Sequence, residues 1–229
     1  MIKALAKLAY NVYYVPPIHL LGTRVSQEVL RSSLVVKLIF GMRILSKEEL
    51  SVYFSKPPIY FGLTTYLLAT VLRRRLRELP SLKLLEIGVG AYAVLSGYLS
   101  RFGTQTVDAI DIDPACIESA QKHVELNQVG VRVFQSDLFS NIPAQTYDLI
   151  FWNMPYTELP PHAYLPRLFE AVPDFMNKNA QLLLSYGTKT LPRETILQFL
   201  NHYPPLRVDE VKTWAWNVHE VISIGLAKN

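Results

Sequence analysis

The chain has 229 residues, 50% hydrophobic and 18% charged, which allows a large core and argues against a disordered chain. Cys116 is the sole cysteine, so neither an intrachain disulfide nor a cysteine-rich metal centre can form, which suits a reducing compartment. The net charge of +4 hides an asymmetry: residues 1–80 carry twelve Lys/Arg against four Asp/Glu, and residues 81–229 carry eleven against fifteen. The basic N-terminal third can meet an anionic partner such as RNA or a membrane surface, or serve only as a solvated face.

The opening MIKALAKLAYNVYYVPPIHLLG is apolar with a basic start, but Lys7 interrupts it, Pro16-Pro17 follows and no small-x-small cleavage site closes it. SLVVKLIFGMRIL (33–45) contains Lys37 and Arg43 and is too short and too charged to span a bilayer. A cytoplasmic protein without a transmembrane segment is expected. Residues 1–62 are expected to form a mainly helical lid that selects substrate, with Tyr10, Tyr13, Tyr14, Tyr53, Tyr60 and Phe61 packed over a cleft and SKPPIYFG (55–62) near its mouth.

TTYLLATVLRRRLREL (64–79) reads as a helix capped by Thr64 or Thr65, with Arg73, Arg74, Arg75 and Arg77 near its C-terminal end, where the helix dipole favours cations. From residue 82 a regular alternation begins. Strands are expected at 82–88, 106–112, 131–135, 147–151 and 180–187. Helices are expected at 91–102, 114–128, 162–178 and 192–203, with Pro166 and Pro173 bending or dividing the third of these. Two β runs, 208–216 and 219–228, end the chain as a hairpin-like pair. This order predicts a Rossmann-like, doubly wound α/β fold over 63–229: a seven-stranded, mostly parallel sheet with an antiparallel C-terminal strand.

Gly88 and Gly90 close the first strand just before a helix, where backbone can pass close to a ligand. Alone, G-V-G-A-Y-A with Asp111 downstream matches a dinucleotide site and leaves a NAD-type oxidoreductase open. Glu86 makes an awkward neighbour for a pyrophosphate and a good one for a cationic amino-acid ligand, and a bulky Tyr92 is expected to narrow the room for a pyrophosphate. Histidines 19, 123, 162, 202 and 219 are scattered, and no metal site is expected.

The ordered set E-x-G-x-G (86–90), A-I-D-I-D-P (109–114), S-D-L-F (136–139) and N-M-P-Y (153–156) resembles class I S-adenosylmethionine-dependent methyltransferases. More narrowly it resembles their N-P-P-Y branch, which includes release-factor glutamine methyltransferases and enzymes that methylate exocyclic amines of RNA bases. The resemblance covers residues 80–190 well and does not cover residues 1–60. It implies S-adenosyl-L-methionine as cofactor and methyl transfer to a planar nitrogen of a protein side-chain amide, a nucleobase or a small molecule. Gly88 and Gly90 would line the methionine part, with Glu86 close by. Asp111 would accept from the ribose hydroxyls and Ile112 pack on adenine. Asp137 would accept from the adenine amine, with Leu138 beside it. Asn153, shared between the cofactor and catalytic sets, would supply Oδ1 and Met154 its carbonyl as acceptors for the substrate NH₂. Pro155 would brace the loop and Tyr156 form an aromatic platform. Simpler roles stand beside these: Asp111 and Asp113 as helix caps, Asp137 as a turn residue and Glu86 as an orienter of the glycine loop. A non-catalytic module that binds RNA or a partner through the basic N-terminal third is a third reading. The family usually has Pro where this chain has Met154, and the extra N–H is expected to loosen the loop.

Overall fold

A computed structural model describes residues 32–54, 63–78, 81–102, 106–154, 160–214 and 218–227. After two short helices, α1 (Ser33–Phe40) and α2 (Lys47–Leu50), comes α3 (Leu63–Glu78), and then the alternating part begins: β1 (Lys83–Ile87), α4 (Val94–Leu99), β2 (Thr106–Asp111), α5 (Pro114–Asn127), β3 (Val131–Gln135) and β4 (Tyr147–Asn153). It continues through α6 (Pro161–Ala171), a 3-10 turn (Val172–Phe175), β5 (Met176–Gly187), α7 (Arg193–Leu200), β6 (Leu206–Trp214) and β7 (His219–Leu226).

The seven strands form one sheet in the order β3-β2-β1-β4-β5-β7-β6. Strands β1 to β5 pair in parallel, and β7 runs antiparallel between β5 and β6. The order reverses between β1 and β4, so the loops leaving those two strands flank the crevice where such sheets hold ligands. Both faces are covered. Leu84, Leu149, Phe151 and Leu183 pack under α3, α4 and α5, while Leu85, Ile150, Trp152 and Leu182 pack under α6 and α7.

Several boundaries differ from the expected ones for local reasons. Helix α4 starts at Val94, not Ala91, because residues 88–93 are used in the turn above β1. Pro173 divides the third expected helix into α6 and the 3-10 turn, whereas Pro166 lies inside α6 without ending it. Thr64 and Thr65 lie inside the first turn of α3 rather than capping it, and Thr65 Oγ1 instead accepts from Asn153 Nδ2 at 2.9 Å. Asp113 does cap α5: its Oδ1 accepts from Ala115 N–H at 2.9 Å, ahead of Pro114.

Residues 32–54 dock on the flank made by α3, α4 and α5. Phe40 meets Tyr66 at 5.0 Å and Tyr98 at 5.4 Å between ring centroids. His123, buried on α5, accepts the Leu45 N–H at Nε2 (3.0 Å) and contacts the Ser119 carbonyl through Nδ1 (2.8 Å), which makes Nδ1 the protonated nitrogen. Asn127 Nδ2 donates to the Arg43 carbonyl and Lys122 Nζ to that of Leu50, both at 2.8 Å. Segments 1–31 and 55–62, with most of the expected lid aromatics, lie outside the described residues. At the far end of α3, Arg75 pairs with Glu210 at 3.2 Å, and Arg73 lies over the Phe102 ring. Among the described residues no helix is long and apolar enough to cross a membrane, and no group of three His, Cys, Asp or Glu side chains could hold a metal ion.

Candidate active site

The turn after β1 is built from two backbone-special glycines. Gly88 (φ +67°) and Gly90 (φ +63°) lie in the left-handed region, and a Cβ on Gly88 would stand 2.8 Å from Trp152 Nε1. The Val89 N–H donates to the Ile110 carbonyl, and the Gly90 N–H donates to Asp111 Oδ2, both at 2.9 Å. Asp111 Oδ1 accepts from the Asp113 N–H at 3.0 Å. Each oxygen of this carboxylate is thus aimed by one main-chain donor and retains lone-pair capacity for a further one. Burial raises the Asp111 pKa, although the amides of Asp113 and Gly90 oppose that shift. Next to it, Ile112 is 61% exposed, an uncommon condition for a large apolar side chain.

Glu86 lies beneath this turn. It is 3% exposed, and its Oε2 accepts the Ser96 N–H at 2.9 Å. Ala93, which precedes α4, makes no side-chain cap bond, so Glu86 caps the helix from the neighbouring strand. Burial pushes its pKa up to about 8, opposed by the Ser96 bonds and helped by the Asp111 charge. Tyr92 corrects an expectation: it is buried, with its ring edge-on to His123 at 5.1 Å, so it narrows nothing at the turn.

The next loop follows β3. Ser136 N–H donates to the Asp111 carbonyl at 2.9 Å, and Ser136 Oγ donates to that of Leu138 at 2.7 Å, where φ is +50°. These bonds place Asp137 and Leu138 alongside Asp111. Asp137 Oδ2 accepts from Arg167 Nη2 of α6 at 2.8 Å.

Across the crevice, β4 ends in Asn153. Its Nδ2 donates to Thr65 Oγ1, which leaves Oδ1 buried and, among the described residues, without a hydrogen-bond partner. Beside it Ser185 Oγ donates to the Thr64 carbonyl at 3.1 Å, holding the start of α3 over the ends of β4 and β5. The Met154 N–H donates to the Ser185 carbonyl at 2.9 Å and its side chain is 2% exposed. The expected loosening by Met154 is therefore corrected: the N–H that a proline would lack extends the β4–β5 ladder by one bond. Pro155 and Tyr156 lie outside the described residues. Phe151 and Trp152 are core residues, and Trp152 meets Tyr164 edge-on at 5.0 Å. Burial pushes the Tyr164 hydroxyl and the Cys116 thiol each up to about 12.

Thr65 and Arg167 are the residues that sequence reasoning did not place at the site. Neither carries a local motif, and each acts across 30 or more positions of chain.

A family model described as "methyltransferase small domain" matches residues 50–206. The chain belongs to this methyltransferase family. A ribosomal protein L11 methyltransferase of Thermosipho africanus is 35% identical over 133 residues, 56% of this chain and 47% of the relative. A release factor glutamine methyltransferase of Rhodopirellula baltica is 32% identical over 125 residues, 53% of this chain and 41% of the relative. The chain thus spans about half the length of the curated relatives it matches. A methyltransferase from Pyrococcus furiosus has the same fold, with a TM-score of 0.67 at 20% identity, covering 87% of this chain and 95% of its own.

Proposed function

We propose that this member of the methyltransferase small domain family transfers a methyl group from S-adenosyl-L-methionine to a planar nitrogen. The observation that carries the reading is Asn153: a buried side-chain oxygen at the carboxyl end of β4, oriented by Thr65 and left for an incoming donor. A buried acceptor without a partner is costly, and a substrate NH₂ meets that need. The residues opposite fit the cofactor: main-chain-aimed Asp111 for the ribose, exposed Ile112 for adenine, Asp137 for its amine and the Gly88–Gly90 turn for the amino-acid part. When bound, the cofactor supplies an electrophilic methyl group.

The chain's own contribution is position and polarity. Asn153 Oδ1 and the Met154 carbonyl each accept one hydrogen of the substrate nitrogen, which favours a pyramidal nitrogen and directs its lone pair outward. The ladder bond from Met154 to Ser185 holds that carbonyl in place. The proton leaves once the nitrogen bears the methyl, so no strong base is required. By their names the two curated relatives above methylate proteins, which favours a protein amide or amine over a nucleobase. The buried lone Cys116 suits the cytoplasm.

Calorimetry with S-adenosylhomocysteine and with NAD tests the cofactor. Binding of the first alone is expected, and binding of NAD alone overturns the reading. Labelled-methyl transfer to fractionated extract then identifies the acceptor class, with label expected in protein.

A further inference from the structure

We propose that Arg167 is the positioning residue that makes the cofactor site selective for a 6-amino purine, an inference that rests on the proposed function. The proposed function assigns two carboxylates to the nucleoside, Asp111 and Asp137, and they are held differently. Asp111 is fixed by the main-chain N–H groups of Gly90 and Asp113. The Asp137 side chain is held by a side chain from another layer of the fold, the Arg167 guanidinium, at 2.8 Å. The loop backbone beneath it is firm: Ser136 Oγ donates to the Leu138 carbonyl and accepts from the Asn141 N–H at 3.0 Å. What remains to be set is the carboxylate's rotation, and Arg167 sets it.

Stability alone does not account for the pair. Its side chains are 54% and 44% exposed, and ion pairs that exposed contribute little to folding. Its consequence is orientation. With Oδ2 taken by Arg167, Oδ1 is left as the carboxylate oxygen available to accept a further hydrogen bond. Such a group welcomes the N6 hydrogens of adenine and repels the 6-oxo oxygen of hypoxanthine. Helix α6, which carries Arg167, begins at Pro161, just beyond the Asn-Met-Pro-Tyr stretch. The purine reader is therefore tied to the element that leaves the methyl-acceptor loop.

The test is calorimetry of S-adenosylhomocysteine and its deaminated counterpart, S-inosylhomocysteine, on wild type, Arg167→Met, Arg167→Lys and Asp137→Asn. Wild type should prefer the amino form by about tenfold or more. Asp137→Asn should reduce the preference to about twofold, because an amide can turn either a donor or an acceptor to the purine. Arg167→Met should weaken the amino form about three- to tenfold and leave the oxo form unchanged, and Arg167→Lys should restore part of the preference. A wild-type ratio in Arg167→Met overturns the proposal, as does equal weakening of both ligands. If wild type binds neither nucleoside, the cofactor reading itself fails and this inference falls with it.

Discussion

The two edges of the crevice are built on opposite terms. On the β1–β3 edge, Glu86 is bonded to Ser96, Gly90 and Asp113 to Asp111, and Asp137 to Arg167, so each functional group already has a partner within the chain. On the β4 edge, Asn153 is held at one end of its amide and, among the described residues, left open at the other. On the proposed function, the difference teaches that a cofactor cradle can be stable by itself, whereas a reacting site keeps one polar atom unsatisfied in a place where that is costly.

Substitutions on the two edges should therefore separate binding from turnover. The largest effect is expected from Asn153→Ala, a loss of about 10² to 10³ in kcat with cofactor Kd within about twofold of wild type. Single-turnover kinetics beside calorimetry would check it; a matched loss in cofactor affinity would erase the distinction between the edges. Asp111→Ala should weaken S-adenosylhomocysteine by about ten- to a hundredfold through lost charge-assisted bonds, with kcat at saturating cofactor far less affected. An unchanged Kd would remove Asp111 from the ribose role. Thr65→Val keeps the shape but removes the hydroxyl that orients the amide. A fall of about fivefold in kcat is expected, with Thr65→Ser retaining most of the rate. Equal rates in Thr65→Val and wild type would mean that the amide is set by something else.

The smallest effect is on stability and pH. Glu86 has its folded pKa raised from 4.5 to about 8, so its contribution is fully present below about 4.5 and is lost as pH rises through about 8. Burial lowers the His123 pKa below 6.5, so its contribution is present above that value and is lost as pH falls below it. Urea unfolding of the ligand-free protein from pH 5 to 9 should show decline at both ends. Glu86→Gln should flatten the alkaline decline alone. An alkaline limb unchanged by that substitution would show that Glu86 is not the group responsible.

Much of the fold was readable because its signals are local. The strand–helix alternation, the Pro114 and Asp113 start of α5 and the paired glycines each lie within a few residues of what they determine. The meeting of Glu86, Gly88 and Gly90 at the end of β1 with Asp111 at the end of β2 was readable from spacing and strand order. What escaped is long-range. Thr65 reads as a cap until β4, 88 positions away, brings Asn153 to its hydroxyl. Met154 reads as a looser loop until β5 supplies the Ser185 carbonyl. Tyr92 reads as an obstacle until α5 draws its ring toward His123. In each case the neighbour that decides the role belongs to another element, and local pattern carries no information about it.

Trp152 gives the protein a built-in optical probe. Its indole nitrogen lies directly under Gly88, while the other tryptophans, Trp214 and Trp216, belong to the end of β6 and the stretch that follows it. With those two replaced by phenylalanine, the remaining emission would come from the floor of the glycine turn. Ligand entry could then be followed by fluorescence, in real time and without a label.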